Sequence, residues 1–299
     1  PYSMVDGDDF LPDILIGRLS VANEAELNTV VAKILGYDRS PYMDDTLWYK
    51  RGLMVGGNYP EFMTTALATK RWIRQLLLEH GFTAVDTVFY PPITDGSPFI
   101  TGYVDEGVTF VNYRAGRAWY WGWEYPEFTN DDIYGLNNGF KLPIVTSLVC
   151  YTGAYDMGCC FGETWLRAGS PYNPKGGIAF IGPTSAGTHT RWNNCMDYGI
   201  YWGILKDSLQ TIGQTLVRGK LELLCNFPLE IYGADGVEHY FYDYNLLGDP
   251  ESPVWCDVPQ RCEVTHTTTV PVGASVFEVE IHDIHGNPVE AALVSLYKP

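Results

Sequence analysis

Cys150 closes the apolar run from Ile144 to Val149. That pattern fits either a packed structural thiol or a thiolate presented at an open strand end. Reactivity at such a sulfur requires a base or a cation beside it, because the thiolate is the nucleophile. Asp6, Asp8 and Asp9, with Gly7 among them, offer hard oxygen ligands at short spacing. They suit a structural calcium ion, although they lack the twelve-residue EF-hand pattern, and a solvated acidic loop is the other reading. Asp131 and Asp132 form a second acidic pair, in which Asp132 equally fits a helix N-cap. Trp119, Tyr120, Trp121, Trp123 and Tyr125 place five aromatic rings in one short segment. Such a segment serves either as a platform for a peptide or glycan or as local packing against a sheet. Cys256 and Cys262 flank Asp257 to Arg261 and can close a small loop in an oxidising compartment. For the neighbours Cys159 and Cys160, one thiol facing the core is a better reading than a strained vicinal bridge.

The rest of the composition narrows the classes of function. The 299 residues carry a formal charge of −17 with 46% apolar and 18% charged residues, a globular balance. Lys and Arg are not clustered, so phosphate backbones and anionic membrane surfaces are repelled and nucleic acid is excluded as a partner. No stretch approaches the ~18 consecutive apolar residues of a membrane span. The seven cysteines are odd in number, so at least one is free or paired with another molecule. Pro1 to Phe10 lack the features of a signal peptide, and the chain stops inside an apparent strand at Leu296 and Tyr297, which reads as a fragment of a longer protein. Acidity and few lysines fit an extracellular or cell-surface setting.

These groups must be positioned by an alternation of strands and helices. Asn23 three residues before Glu26 predicts a capping box and a helix whose buried face is Leu27, Val30, Val31, Ile34 and Leu35, stopping at Gly36. Strands are expected at Leu53–Val55, Ala84–Phe89, Val108–Tyr113, Leu142–Val149 and Ile178–Ile181. Helices are expected at about Glu61–His80, Phe161–Arg167 and in stretches between Cys195 and Leu224. This order implies an α/β domain with a mainly parallel sheet covered on both faces, whose functional groups collect at the carboxyl edge of the strands. From about Val264 the pattern changes. Phe277, Val279 and Ile281 alternate with Glu278, Glu280 and His282, then Gly286-Asn287-Pro288 makes a turn and Ala292–Tyr297 a further strand. The tail therefore resembles part of an antiparallel sandwich.

Several segments together resemble the gingipain family of cysteine peptidases: Leu11-Pro12-Asp13 with Gly17-Arg18-Leu19, Val111-Asn112-Tyr113, Val149-Cys150 with Gly153, Cys160-Phe161-Gly162-Glu163 with Leu166-Arg167-Ala168, and Asn245-Leu246-Leu247-Gly248-Asp249-Pro250. The resemblance implies a caspase-like three-layer α/β/α catalytic domain over residues 1–258. It also implies the start of an immunoglobulin-like β-sandwich module over 263–299, truncated here. It implies a secreted or surface cysteine endopeptidase with Cys150 as nucleophile. It needs no cofactor, although bound calcium is common in such domains, and its partners are peptide or protein, with self-assembly or surface association as further roles.

The family's base lies in a Tyr-x-Gly-His-Gly segment, and here that stretch runs Tyr113-Arg114-Ala115-Gly116-Arg117. The histidine position falls on Gly116, or on Arg117 when counted back from Cys150. A guanidinium keeps its protons and cannot act as a base, although Arg117 can favour a thiolate at Cys150. His189, in the loop that walls the family's primary specificity pocket, is the substitute base to test, and a solvated loop histidine is its other reading. Trp119, Trp121 and Trp123 fall on the family's active-site rim and are the candidate substrate platform. The alternative to an active endopeptidase is a silent member that keeps the fold as an extracellular binding or assembly module.

Overall fold

In the computed structural model, residues 2–58, 65–233, 236–269, 273, 276–290, 292, 294 and 295 are described. The chain divides into two compact units, Pro1–Asp257 and Val258–Pro299. The first is built on a six-stranded sheet of β1 (Arg51–Gly57), β2 (Ala84–Tyr90), β3 (Phe110–Arg114), β4 (Ile144–Ser147), β5 (Ala179–Pro183) and β6 (Tyr244–Leu247), in the order β6-β5-β4-β3-β1-β2. Every pairing is parallel except β5 with β6. The helices are α1 (Glu24–Arg39), α2 (Thr65–Glu79), α3 (Ser97–Glu106), α4 (Asn130–Gly135), α5 (Phe161–Arg167), α6 (Thr190–Leu205), α7 (Ile212–Asn226) and α8 (Val237–Asp243). The parallel sheet with helical cover is the architecture the strand–helix alternation predicts; the start of α2 at Glu61 lies outside the described residues.

The two sheet faces differ in chemistry because strand side chains alternate. Leu53, Val55, Val111, Tyr113, Val145 and Phe180 point to one side and join Val30, Ile100, Ile133 and Phe161 in a single apolar core. On the other side the register sets Asn112 beside Thr146. Both meet α6: Asn112 Nδ2 donates to Asp197 Oδ1 at 2.7 Å, and Thr146 Oγ1 lies 3.2 Å from Tyr201 Oη. Asp197 also binds Lys70 of α2, and neither side chain is accessible.

α1 forms where the capping box predicts it. Asn23 is the N-cap, its Oδ1 accepting from Glu26 N–H at 3.0 Å while Glu26 Oε2 accepts from Ala22 N–H at 2.8 Å. Its buried face is only partly the expected one: Val30 is buried and Ile34 packs against the core, but the rest of the face is turned. Thr29, Val30, Lys33 and Tyr37 face inward, whereas Leu27, Val31 and Leu35 are exposed, and the helix runs past Gly36 to Arg39. The cause is Lys33, whose Nζ donates to the carbonyls of Leu166 at 2.7 Å and Trp165 at 3.0 Å and so satisfies the end of α5.

Burial holds the Lys33 and Lys220 ammonium groups down to about 7. The unfolded chain therefore binds more protons than the native state above that pH, so stability rises with pH, by up to about 1.4 kcal/mol per pH unit for each lysine. The rise is expected between about pH 7 and 8, before the buried thiols of Cys160, Cys195 and Cys256, pushed up to about 12 by burial, begin to oppose it. Urea midpoints across this window check it: Lys33→Met should flatten the slope and lower overall stability.

The motifs quoted from the sequence meet in space. Arg18 N–H donates to Leu246 O at 2.9 Å and Gly248 N–H to Arg18 O at 3.0 Å. A Cβ on Gly17 would lie 2.1 Å from Gly248 O, so only glycine fits that crossing. Glu163 accepts from Cys160 N–H at 2.9 Å and pairs with Arg167, whose Nε donates to Ser20 O.

The second unit contains an antiparallel pair, β7 (Cys262–His266) with β8 (Val279–Asp283), in which Val264 faces Ile281. The expected strand at Ala292–Tyr297 falls mostly outside the described residues. All seven cysteines, Cys256 and Cys262 among them, are free thiols.

Candidate active site

Cys150 stands just beyond the carboxyl end of β4, where a parallel sheet collects its functional groups. Its loop is braced from below. Trp123 Nε1 donates to Ser147 Oγ at 2.9 Å, and Thr152 Oγ1 lies 3.0 Å from Ser147 Oγ and 3.1 Å from Val149 O. Tyr151 N–H donates to Ser185 O at 3.1 Å and Gly153 N–H to Pro183 O at 2.9 Å, tying the loop to the end of β5. Tyr151 adopts φ 65°, a left-handed conformation that non-glycine residues take only where surrounding bonds impose it. With its N–H spent on Ser185, Tyr151 is no oxyanion donor.

The Cys150 sulfur is half-buried and lies 3.2 Å from Thr188 Oγ1. Thr188 immediately precedes the candidate base His189, yet the imidazole has other work. His189 is the N-cap of α6, with Nδ1 accepting from Arg191 N–H at 3.4 Å. Its backbone N–H donates to Tyr240 Oη at 2.6 Å. The ring lines a cavity of about 460 Å³ with Arg191, Trp192, Glu230 and Tyr232, and Cys150 is not part of that lining.

Gly116 and Arg117 are exposed beyond β3, and the Arg117 carbonyl accepts from Tyr113 Oη at 3.3 Å. The cation at the strand ends is instead Arg114, a buried residue that sequence reasoning passed over. Its Nη1 donates to Leu148 O at 3.1 Å and its Nε to Asn194 Oδ1 at 3.2 Å, joining the ends of β3 and β4 below Cys150. The signal for it was a charge closing a strand whose other residues, Phe110, Val111, Asn112 and Tyr113, are uncharged.

The aromatic segment divides. Trp119 and Trp121 are 52% and 39% exposed with parallel rings 6.1 Å apart, whereas Trp123 is fully buried against Tyr113 at 4.2 Å and is not available to a ligand. Tyr120 O accepts from Phe161 N–H at 2.6 Å, which fastens this turn to the helix that follows the Cys150 loop. Asp6, Asp8 and Asp9 do not converge. Asp9 Oδ1 accepts from Leu11 N–H at 2.8 Å, and among the described residues no group of three His, Cys, Asp or Glu side chains can hold a metal ion. Asp132 closes a capping box with Thr129, which takes the N-cap position of α4.

A mainly parallel sheet covered by helices on both faces, with a half-buried thiol at its carboxyl edge, defines the class as an α/β/α domain. The profile of peptidase family C25 matches residues 1–255, and the chain belongs to that family. Gingipain R2 of Porphyromonas gingivalis is 24% identical over 286 residues, covering 93% of this chain and 38% of its own length. Lys-gingipain of the same organism is 25% identical over 312 residues, covering 93% and 17%. The chain thus spans about two fifths of Gingipain R2 or less of such relatives. The crystal structure of the Arg-specific cysteine proteinase gingipain R superposes with a TM-score of 0.82 at 21% identity, covering 94% of this chain and 64% of that one. The complex of the gingipain pro- and mature domains gives 0.81 at 21% identity, covering 94% and 66%. Among the described residues no helix is long and apolar enough to cross a membrane.

Proposed function

We propose that this chain is a peptide-binding member of the C25 family, acting outside the cell, whose Cys150 site does not hydrolyse amide bonds at peptidase rates. The observation that carries this reading is the pairing of the Cys150 sulfur with the Thr188 hydroxyl while the neighbouring imidazole caps α6. A threonine hydroxyl can hold a thiolate but cannot carry the proton to a leaving amine, a step whose loss costs about 100- to 10,000-fold. The resemblance assigns Gly116 or Arg117 to the histidine position, and neither side chain supplies that proton transfer.

Binding is supported by the exposed Trp119–Trp121 pair, which follows β3 at the same edge of the sheet as Cys150. Tyr151, Tyr155 and Met157 on the Cys150 loop add exposed apolar area. Rigid aromatic rings contribute binding area at small entropy cost. Titration of intrinsic fluorescence with unstructured peptides should give saturable binding, weakened about tenfold in Trp119→Ala/Trp121→Ala. Saturation by oligosaccharides and not by peptides would make a glycan the ligand. Peptide cleavage that needs both Cys150 and His189 would replace this reading with a peptidase using a relocated base.

A further inference from the structure

The Cys150 sulfur ends a hydrogen-bonded chain whose proton positions are set from the buried side. Tyr244 Oη donates to Asn193 Oδ1 at 2.7 Å, Asn193 Nδ2 donates to Thr188 Oγ1 at 3.1 Å, and Thr188 Oγ1 lies 3.2 Å from Cys150 Sγ. Tyr244 and Asn193 are both buried. Turning the amide over would leave the buried Tyr244 hydroxyl proton without an acceptor, which disfavours that orientation. With the Asn193 amide so fixed, Thr188 accepts from its interior neighbour, and against a thiolate at Cys150, which has no proton to give, its own hydroxyl is the donor.

We infer that Thr188 is the hydrogen-bond donor that holds the Cys150 thiolate, with Asn193 and Tyr244 as positioning residues that set its proton. This deepens the reading proposed above, since it explains how a site without a proton shuttle retains a prepared nucleophile. Such a sulfur attacks soft electrophiles whose leaving group departs as an anion, because that reaction asks for no proton transfer to the leaving group. In alkylation by iodoacetamide the Cys150 sulfur supplies the electron pair, a carbon–sulfur bond forms, and iodide leaves with the carbon–iodine bonding pair.

The other titratable groups around this chain are Arg114, bound to Leu148 O; Tyr240, bound to the His189 backbone; His189, engaged with Arg191 N–H; and Asp243, which holds Thr184 and Ser185. None of these bonds involves the Thr188 hydroxyl, so the difference between variants should read that hydroxyl.

The test is the rate of iodoacetamide labelling of Cys150 in the whole chain, followed by peptide mapping from about pH 6 to 9. Exposed Cys159 serves as an internal reference, and buried Cys160 reports unfolding. Thr188→Val should react about three- to tenfold more slowly at pH 7 with its profile displaced to higher pH, the lost thiolate outweighing the gain in intrinsic nucleophilicity. Thr188→Ser should return the rate and profile close to those of the parent, and Tyr244→Phe should fall between. A Thr188→Val rate and profile equal to the parent's, or no rescue by serine while Cys160 stays protected, would overturn the assignment. Should valine open the fold and expose Cys160, an unchanged rate and profile in folded Tyr244→Phe would overturn it equally. Alkylation needs no peptide cleavage, so turnover by the parent would sink the non-hydrolytic reading and leave this one standing.

Discussion

Placing an imidazole in the β3 loop, as Ala115→Gly/Gly116→His/Arg117→Gly, should raise Cys150-dependent peptide hydrolysis by about 100-fold or more over the parent. The thiol that would serve as nucleophile already has a place in the structure. Cys150 is held at the strand end by Ser147, Thr152 and the backbone of β5, and Thr188 stands against its sulfur. On the proposed reading, what the site lacks is a group that takes a proton and returns it. Gly116 and Arg117 are exposed, and the Tyr113–Ser147 pairing sets their strand beside the one that leads to Cys150. A histidine there would work as a base when neutral, so the new activity should rise with pH through about 6 to 7. Kinetics on fluorogenic peptides, with Cys150→Ala in the same background as control, measure the gain. No gain in a folded variant would mean that the imidazole is not the limiting absence.

Breaking the Lys70–Asp197 pair should cost about 3–5 kcal/mol, the usual penalty for leaving one buried charge without its partner. Both side chains are fully buried, and burial holds the Lys70 ammonium down to about 8 against the favourable pull of Asp197. Asp197→Ala also removes the acceptor of Asn112 Nδ2, so α2 and β3 each lose a polar bond to α6 at once. Because α6 carries Asn193 and begins beside Thr188, the damage should reach Cys150. Urea unfolding would show the loss, and Lys70→Met/Asp197→Leu should recover much of it by replacing the pair with apolar contact. A single variant as stable as the parent would show that the pair does not hold α6.

The strand–helix alternation was legible because each parallel strand is a short apolar run and each long helix carries its own punctuation, as Asn23 and Glu26 do for α1. What failed is equally physical. Lys33 reads as a surface residue until the carbonyls at the end of α5 come within its reach, and that rotates α1 away from the face Leu27, Val31 and Leu35 suggested. The aromatic segment looked uniform because Trp119, Trp121 and Trp123 share a spacing of two. The turn between them pairs Ala118 with Trp123 and Trp119 with Gly122, so Trp123 faces inward on the side opposite Trp119. β6 and α8 escaped notice because Val237–Leu247 reads as one aromatic and polar stretch without a period. At the site, the position of Cys150 could be read from Ile144–Val149. Its contact with Thr188 joins loops far apart in sequence and leaves no local pattern.

The most direct test of the account compares the native protein with Cys150→Ala, using a peptide-based thiol-reactive probe and, separately, a broad peptide mixture as substrate. Selective labelling at Cys150 with no Cys150-dependent cleavage is the expected result. Steady turnover of peptide bonds that disappears in Cys150→Ala would contradict it.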